Sequence, residues 1–147
     1  MTTLRLLVLS LMIFWGCSSI VLKPADYAWP LESVLKADSD GVVTDGRHTF
    51  TVNLKEMFFA EYGSYVEMAN CEVRIIRDYL GYYYIAASGF KNIYLFYEVE
   101  GGMKLETIIK IPESGTLTKP AFNQRSPYIE LLNGNNKYLL SKDGIAE

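Results

Sequence analysis

Two cysteines and one histidine are all that this 147-residue chain carries of the side chains that most often hold metals or attack substrates. A single imidazole, His48, cannot build a zinc site of two or more. Cys17 and Cys71 cannot form the C-x-x-C pairs of zinc ribbons and thiol redox sites. Motifs that cradle phosphate or activate a nucleophile are missing as well: there is no G-x-x-x-x-G-K, no G-x-S-x-G and no H-E-x-x-H. Basic charge is scarce, with 14 Lys and Arg against 17 Asp and Glu and no basic run, so nucleic acid has no electrostatic footprint. No apolar run reaches the about 20 residues that a transmembrane helix needs. These absences lead to the expectation of a non-enzymatic protein with no metal, no cofactor and no nucleic-acid partner. Acidic residues do cluster at Asp38, Asp40 and Asp45, but a calcium loop begun at Asp38 would place Thr49 where the twelfth-position Glu belongs. Two hairpin turns account for the same aspartates.

The N-terminus holds the most specific signal. Arg5 precedes a near-unbroken apolar stretch from Leu6 to Trp15, the length of a signal-peptide core, which ends at Gly16-Cys17. This segment resembles the lipobox of bacterial lipoprotein precursors, with Phe14 and Trp15 standing where such boxes usually carry Leu and a small residue. The resemblance implies that residues 1–16 are removed as a signal peptide and that Cys17 becomes the lipidated N-terminus. It further implies a bacterial cell-envelope location, with the membrane engaged through that lipid. Ser18 follows where an inner-membrane retention signal would place Asp, which favours the outer membrane. An ordinary signal peptide or an uncleaved anchor is the alternative. With Cys17 acylated, Cys71 is left without an intrachain partner, and its strand-like surroundings suggest a buried apolar role.

Residues 17–32 read as a tether with Tyr27 and Trp29 as docking aromatics, and 33–147 as one β domain. Ser33–Lys36, Val42–Thr44 and Thr49–Val52 are strand-like, parted by Asp38-Ser39-Asp40-Gly41 and by Asp45-Gly46, a hairpin signal. Asn53 with Glu56 fits a capping box, Leu54, Met57, Phe58 and Tyr62 follow at helical spacing, and Gly63 stands at the stop. That pattern predicts one short helix near 54–62. Strands are then expected over 73–77, 82–87, 93–99 and 105–111, and a last hairpin joins 128–132 to 137–140. The fold class is therefore all-β, an antiparallel meander forming a small barrel, a sandwich or propeller-blade-like sheets.

Two hairpins, Tyr84-Ile85 with Tyr94-Leu95-Phe96 and Tyr128-Ile129 with Tyr138-Leu139-Leu140, lie 44 residues apart. Residues 81–120 resemble one blade of the NHL-type β-propellers, whose blades repeat at about 40–45 residues. Asn92 occupies the place where an Arg is common in those repeats. The chain has room for three blades at most, whereas a closed propeller needs about four.

Function is expected at an aromatic surface. Tyr79, Tyr82, Tyr83, Tyr84, Tyr94 and Tyr97 crowd two successive strands, and exposed tyrosines give large contact area at small entropy cost. Tyr82, Tyr84 and Tyr94 are the candidate binding residues, and another envelope protein is the expected partner. Glu98 and Glu100 share a strand face and are expected to be solvated, while His48 beside Asp45 reads as an exposed turn residue. A second reading is a periplasmic inhibitor of a cell-wall hydrolase: Ala87-Ser88-Gly89-Phe90-Lys91 is similar to the Ser-Gly loop of small lysozyme-inhibiting lipoproteins. Projecting Ser88 and Lys91 would favour it.

Overall fold

A computed structural model describes residues 27–64, 68–112 and 115–146. Cys17 and the expected signal segment lie outside them. Eleven strands and one helix follow in the order β1 Ser33–Lys36, β2 Val42–Asp45, β3 Phe50–Asn53, α1 Lys55–Tyr62, β4 Glu72–Arg77, β5 Tyr83–Ala87, β6 Asn92–Val99, β7 Gly102–Lys110, β8 Ala121–Arg125, β9 Tyr128–Asn133, β10 Asn136–Ser141 and β11 Gly144–Ile145. Every pairing among them is antiparallel. They form a five-stranded sheet ordered β1-β4-β5-β6-β7, a four-stranded sheet ordered β11-β10-β9-β8, and the separate hairpin β2-β3. No barrel closes. The expected all-β meander with one short helix is what the chain forms.

Alternation along paired strands sorts the side chains of the five-stranded sheet onto two faces. One carries Ser33 and Leu35, Val73, Ile75 and Arg77, Tyr83 and Ile85, then Tyr94 and Phe96. The other carries Ile76, Tyr84, Ala86 and Leu95. Both faces are covered over β4 and β5, so Ile75-Ile76-Arg77 and Tyr84-Ile85-Ala86-Ala87 are buried one after another instead of alternating. On the first face sit Trp29, the β2-β3 hairpin and α1. On the second, Arg74 Nη1 donates to Glu32, whose other carboxylate oxygen accepts the Phe122 N–H at 2.8 Å. Glu32 thus ties the two sheets where β8 lies beside β4. Phe122, Ile129, Leu131 and Leu140 join the single buried cluster built on Ile75, Ile76, Tyr84 and Leu95.

The helix differs from its sequence pattern at its start. Leu54 occupies the capping position and makes no side-chain cap, and Asn53 Oδ1 instead accepts the Lys55 N–H at 2.8 Å. The stop is as expected: Gly63, at φ 71°, sends its N–H to the Phe59 carbonyl at 2.8 Å. Leu54, Met57 and Phe58 are buried, and Tyr62 packs edge-on against Phe90. Glu61 then fixes the helix to the sheet, accepting from the Lys91 N–H, from Asn92 Nδ2 at 2.9 Å and from the Tyr94 hydroxyl at 2.7 Å.

The 44-residue spacing relates β5-β6 to β9-β10, each the middle pair of four successive antiparallel strands. Their pairings do not superpose. Ile85 faces Tyr94, whereas Ile129 faces Leu140 and Tyr138 faces Leu131, a two-residue change of register. Strand positions recur at this spacing; paired residues do not.

Candidate functional site

Trp29 organises the first face of the five-stranded sheet. Its ring is 2% exposed and stacks on His48 with centroids 3.5 Å apart and planes 3° from parallel. It also meets Phe50 at 5.7 Å and Tyr83 edge-on at 5.6 Å. Asp45 closes this assembly from below. Its Oδ2 accepts from Ser33 Oγ and from His48 Nδ1 at 2.9 Å, and its Oδ1 accepts the Arg47 N–H at 2.7 Å. Burial opposes ionisation of Asp45, but the hydrogen bonds from Ser33, His48 and the two backbone N–H groups outweigh it and hold the carboxyl down to about 2.

Ser, His and Asp together invite comparison with a nucleophilic triad. Such a triad needs the hydroxyl on one imidazole nitrogen and the carboxylate on the other. Here Ser33 Oγ and Asp45 Oδ2 both lie on the Nδ1 edge, at 3.3 and 2.9 Å, and both residues are buried. His48 has no route for passing a Ser33 proton through its ring. The cluster instead locks the β2-β3 turn onto the sheet and thereby places Phe50 and Val52.

Those two residues form one wall of a groove. Its wider part, about 310 Å³, is lined by Phe50, Thr51, Val52, Tyr83, Glu98, Val99 and the Gly101-Met103 turn. A second part of about 150 Å³ runs on past Val52 and Met103 to Leu54, Glu56, Met57, Ile85 and Phe96. The floor is the stretch of the first face left uncovered between the β2-β3 hairpin and β7. Arg77 lies over Tyr83 at 5.7 Å and over Tyr27 at 5.2 Å, bracing the groove's tyrosine from behind. Apolar and aromatic groups dominate the lining, Glu56 and Glu98 supply two carboxylates, and among the described residues no Lys or Arg contributes. A more open depression of about 380 Å³ beside Pro30 and Asn123 is polar, and its Asn123, Arg125 and Glu130 side chains pair with one another.

Comparison with protein-family models, with curated proteins and with solved structures returned no match.

The three tyrosines expected at a binding surface do not form one. Tyr84 is 1% exposed, with its hydroxyl on Asp78 Oδ2 at 3.2 Å, and Tyr94 is 2% exposed on Glu61. Burial, then the adjoining carboxylates, push both phenols up. Tyr82 is half-buried and meets Tyr97 edge-on at 6.4 Å. The reason is that both faces of this sheet are covered, so strand alternation does not leave one face to solvent. Tyr83, the residue between, is the one that lines the groove. Glu98, expected to be simply solvated, lines it as well.

Other sequence candidates fall into place around it. Cys71 is half-buried, and burial, then the Glu72 charge, push its thiol up. Asp38 Oδ1 accepts the N–H groups of Asp40 and Val42, both at 2.9 Å, so it closes a hairpin turn. Among the described residues no group of three or more His, Cys, Asp or Glu could hold a metal. Ser88 is half-buried in a tight turn, where the Gly89 N–H bonds the Leu117 carbonyl at 2.8 Å and the Lys91 N–H bonds Glu61. Of the two, only Lys91 is exposed, and it stands on a tight turn held by its backbone. No helix among the described residues is long and apolar enough to cross a membrane.

Proposed function

We propose that this is a lipid-anchored envelope protein that binds a partner protein without turning over a substrate. Cys17 carries the lipid, and the outer membrane is the favoured site. The groove between β3 and the β6-β7 turn is the observation that carries the binding reading. Among the described residues it combines an aromatic and methionine-containing lining with acidic groups and no basic ones. Phe50, Tyr83, Phe96, Met57 and Met103 offer the adaptable apolar contact area typical of peptide-recognition sites. A volume of about 310 Å³ sits at the lower end of the ~300–1,000 Å³ of ligand pockets, room for one or two side chains. The matching ligand is a protein segment that inserts an apolar or aromatic side chain and sets a Lys or Arg against Glu98 or Glu56.

Peptide selection against the immobilised domain tests this. Selected peptides should pair an aromatic or large aliphatic residue with a neighbouring basic one. Glu98→Trp would fill the groove from an exposed lining position on the same face as Tyr83 and Phe96, so the core is spared. Losing a central aromatic anchor costs about 2 kcal/mol, so the substitution should weaken the selected peptides about thirtyfold. Peptides that bind Glu98→Trp as tightly as the wild type would refute the groove as the site.

A further inference from the structure

The outer edge of the five-stranded sheet carries an inference of its own, separate from the groove. β7 is nine residues long and pairs only with β6, so its other side presents a row of backbone groups with no strand against them among the described residues. Long open edges of this kind are templates for another strand. β7 exposes two apolar residues, Leu105 at 42% and Ile108 at 41%, among the charged Lys104, Glu106 and Lys110. Its pairing with β6 is interrupted at Glu106, since Leu105 faces Phe96 and Thr107 faces Leu95, and it runs regularly from Thr107 to Lys110.

We propose that two copies of this chain pair antiparallel through β7, about a two-fold axis at Ile108. A two-fold axis perpendicular to a sheet sets one residue against its own copy, which leaves few registers to weigh. Centring on Glu106 sets two carboxylates together, and centring on Thr107 sets Lys104 against Lys110. Centring on Leu105 also matches charge, Lys104 against Glu106, but runs the pairing through the interrupted stretch and over Gly102 and Met103 of the groove. Centring on Ile108 sets Ile108 against Ile108, Thr107 against Ile109, and Glu106 against Lys110 on both sides of the axis. That register uses the regular part of the strand and matches charge twice. It also leaves the Gly101-Met103 wall uncovered, so the dimer would hold two grooves and two lipid anchors and could engage a repeated partner bivalently.

Thiol cross-linking of the full chain, expressed and processed in cells, tests the pairing in a Cys71→Ala background. Directly opposed strand residues have Cβ atoms about 5 Å apart. Ile108→Cys with a short bismaleimide should therefore yield a species of twice the mass. Val99→Cys, exposed but opposite Gly102 and so about 20 Å along the strand from the axis, should not. Lys110→Glu should cut the Ile108→Cys yield about tenfold by turning two attractive pairs into repulsive ones. Adding Glu106→Lys to it should restore the yield. A monomer from Ile108→Cys, an adduct of any other mass, equal yield from Val99→Cys, or no restoration by the charge swap would each overturn the proposal.

Discussion

Removing the charge of Asp45 should flatten the acid limb of this protein's stability curve. Its carboxyl is 4% exposed and is held down to about 2 from an ordinary 3.8 by Ser33, His48 and two backbone N–H groups acting against burial. A carboxyl lowered in the folded state contributes stability that is fully present above the unfolded value. That stability is lost as pH falls through the folded value, here between about pH 4 and pH 2. A lowering of that size corresponds to about 2 kcal/mol, at about 1.4 kcal/mol for each pH unit. Asp45→Asn keeps the shape of the side chain and removes the charge, so it should cost about 2 kcal/mol at neutral pH. The assay is urea unfolding of wild type and Asp45→Asn at pH 7, 5, 3.5 and 2.5. The gap between the two should be widest at pH 7 and 5 and close progressively below pH 4. The other carboxylates titrate alike in both proteins and cancel. Parallel loss of stability with a constant gap would refute the reasoning, because the Asp45 carboxylate would then draw nothing from Ser33 and His48.

Two further substitutions probe the anchor and the hairpin, beside the groove and edge tests above. Radiolabelled palmitate should enter the wild type and not Cys17→Ala, and equal labelling of both would rule out acylation at that residue. Gly41→Ala should destabilise by about 2 kcal/mol or more in thermal or urea unfolding. Gly41 has φ 76°, and an added Cβ would stand 2.8 Å from Met68 Sδ and 3.2 Å from the Lys55 nitrogen. An unchanged midpoint would contradict that close approach.

Much of the strand order was legible because these strands are rich in β-branched and aromatic residues parted by glycine turns. β8 was not. Ala121-Phe122-Asn123-Gln124-Arg125 has one strong β former and becomes a strand because β9 pairs along it and Glu32 takes the Phe122 N–H. Tertiary partners decided it, as they decided the fate of the tyrosines. Alternation correctly puts Tyr83 opposite to Tyr82 and Tyr84. It could not show that the second sheet, the hairpin and the helix cover both faces and leave only a trench beside Tyr83. Trp29 was legible as a docking aromatic but not as the centre of a stack. Its partner His48 and the buried Ser33 come together only when β1 settles beside the β2-β3 turn. A local signal did exist there: Asp45 followed by Arg47 and His48 is the sequence of a side chain folding back on its own turn.

Site-specific photo-cross-linking in living cells tests the binding account most directly. A benzophenone amino acid would replace Thr51 on the exposed groove wall and, as control, Leu139 on the exposed face of the four-stranded sheet. The account predicts a protein adduct of one defined mass from position 51, absent from position 139 and abolished when Glu98→Trp fills the groove. An adduct from position 51 that persists unchanged in Glu98→Trp, or adducts of the same mass from both positions, would contradict it.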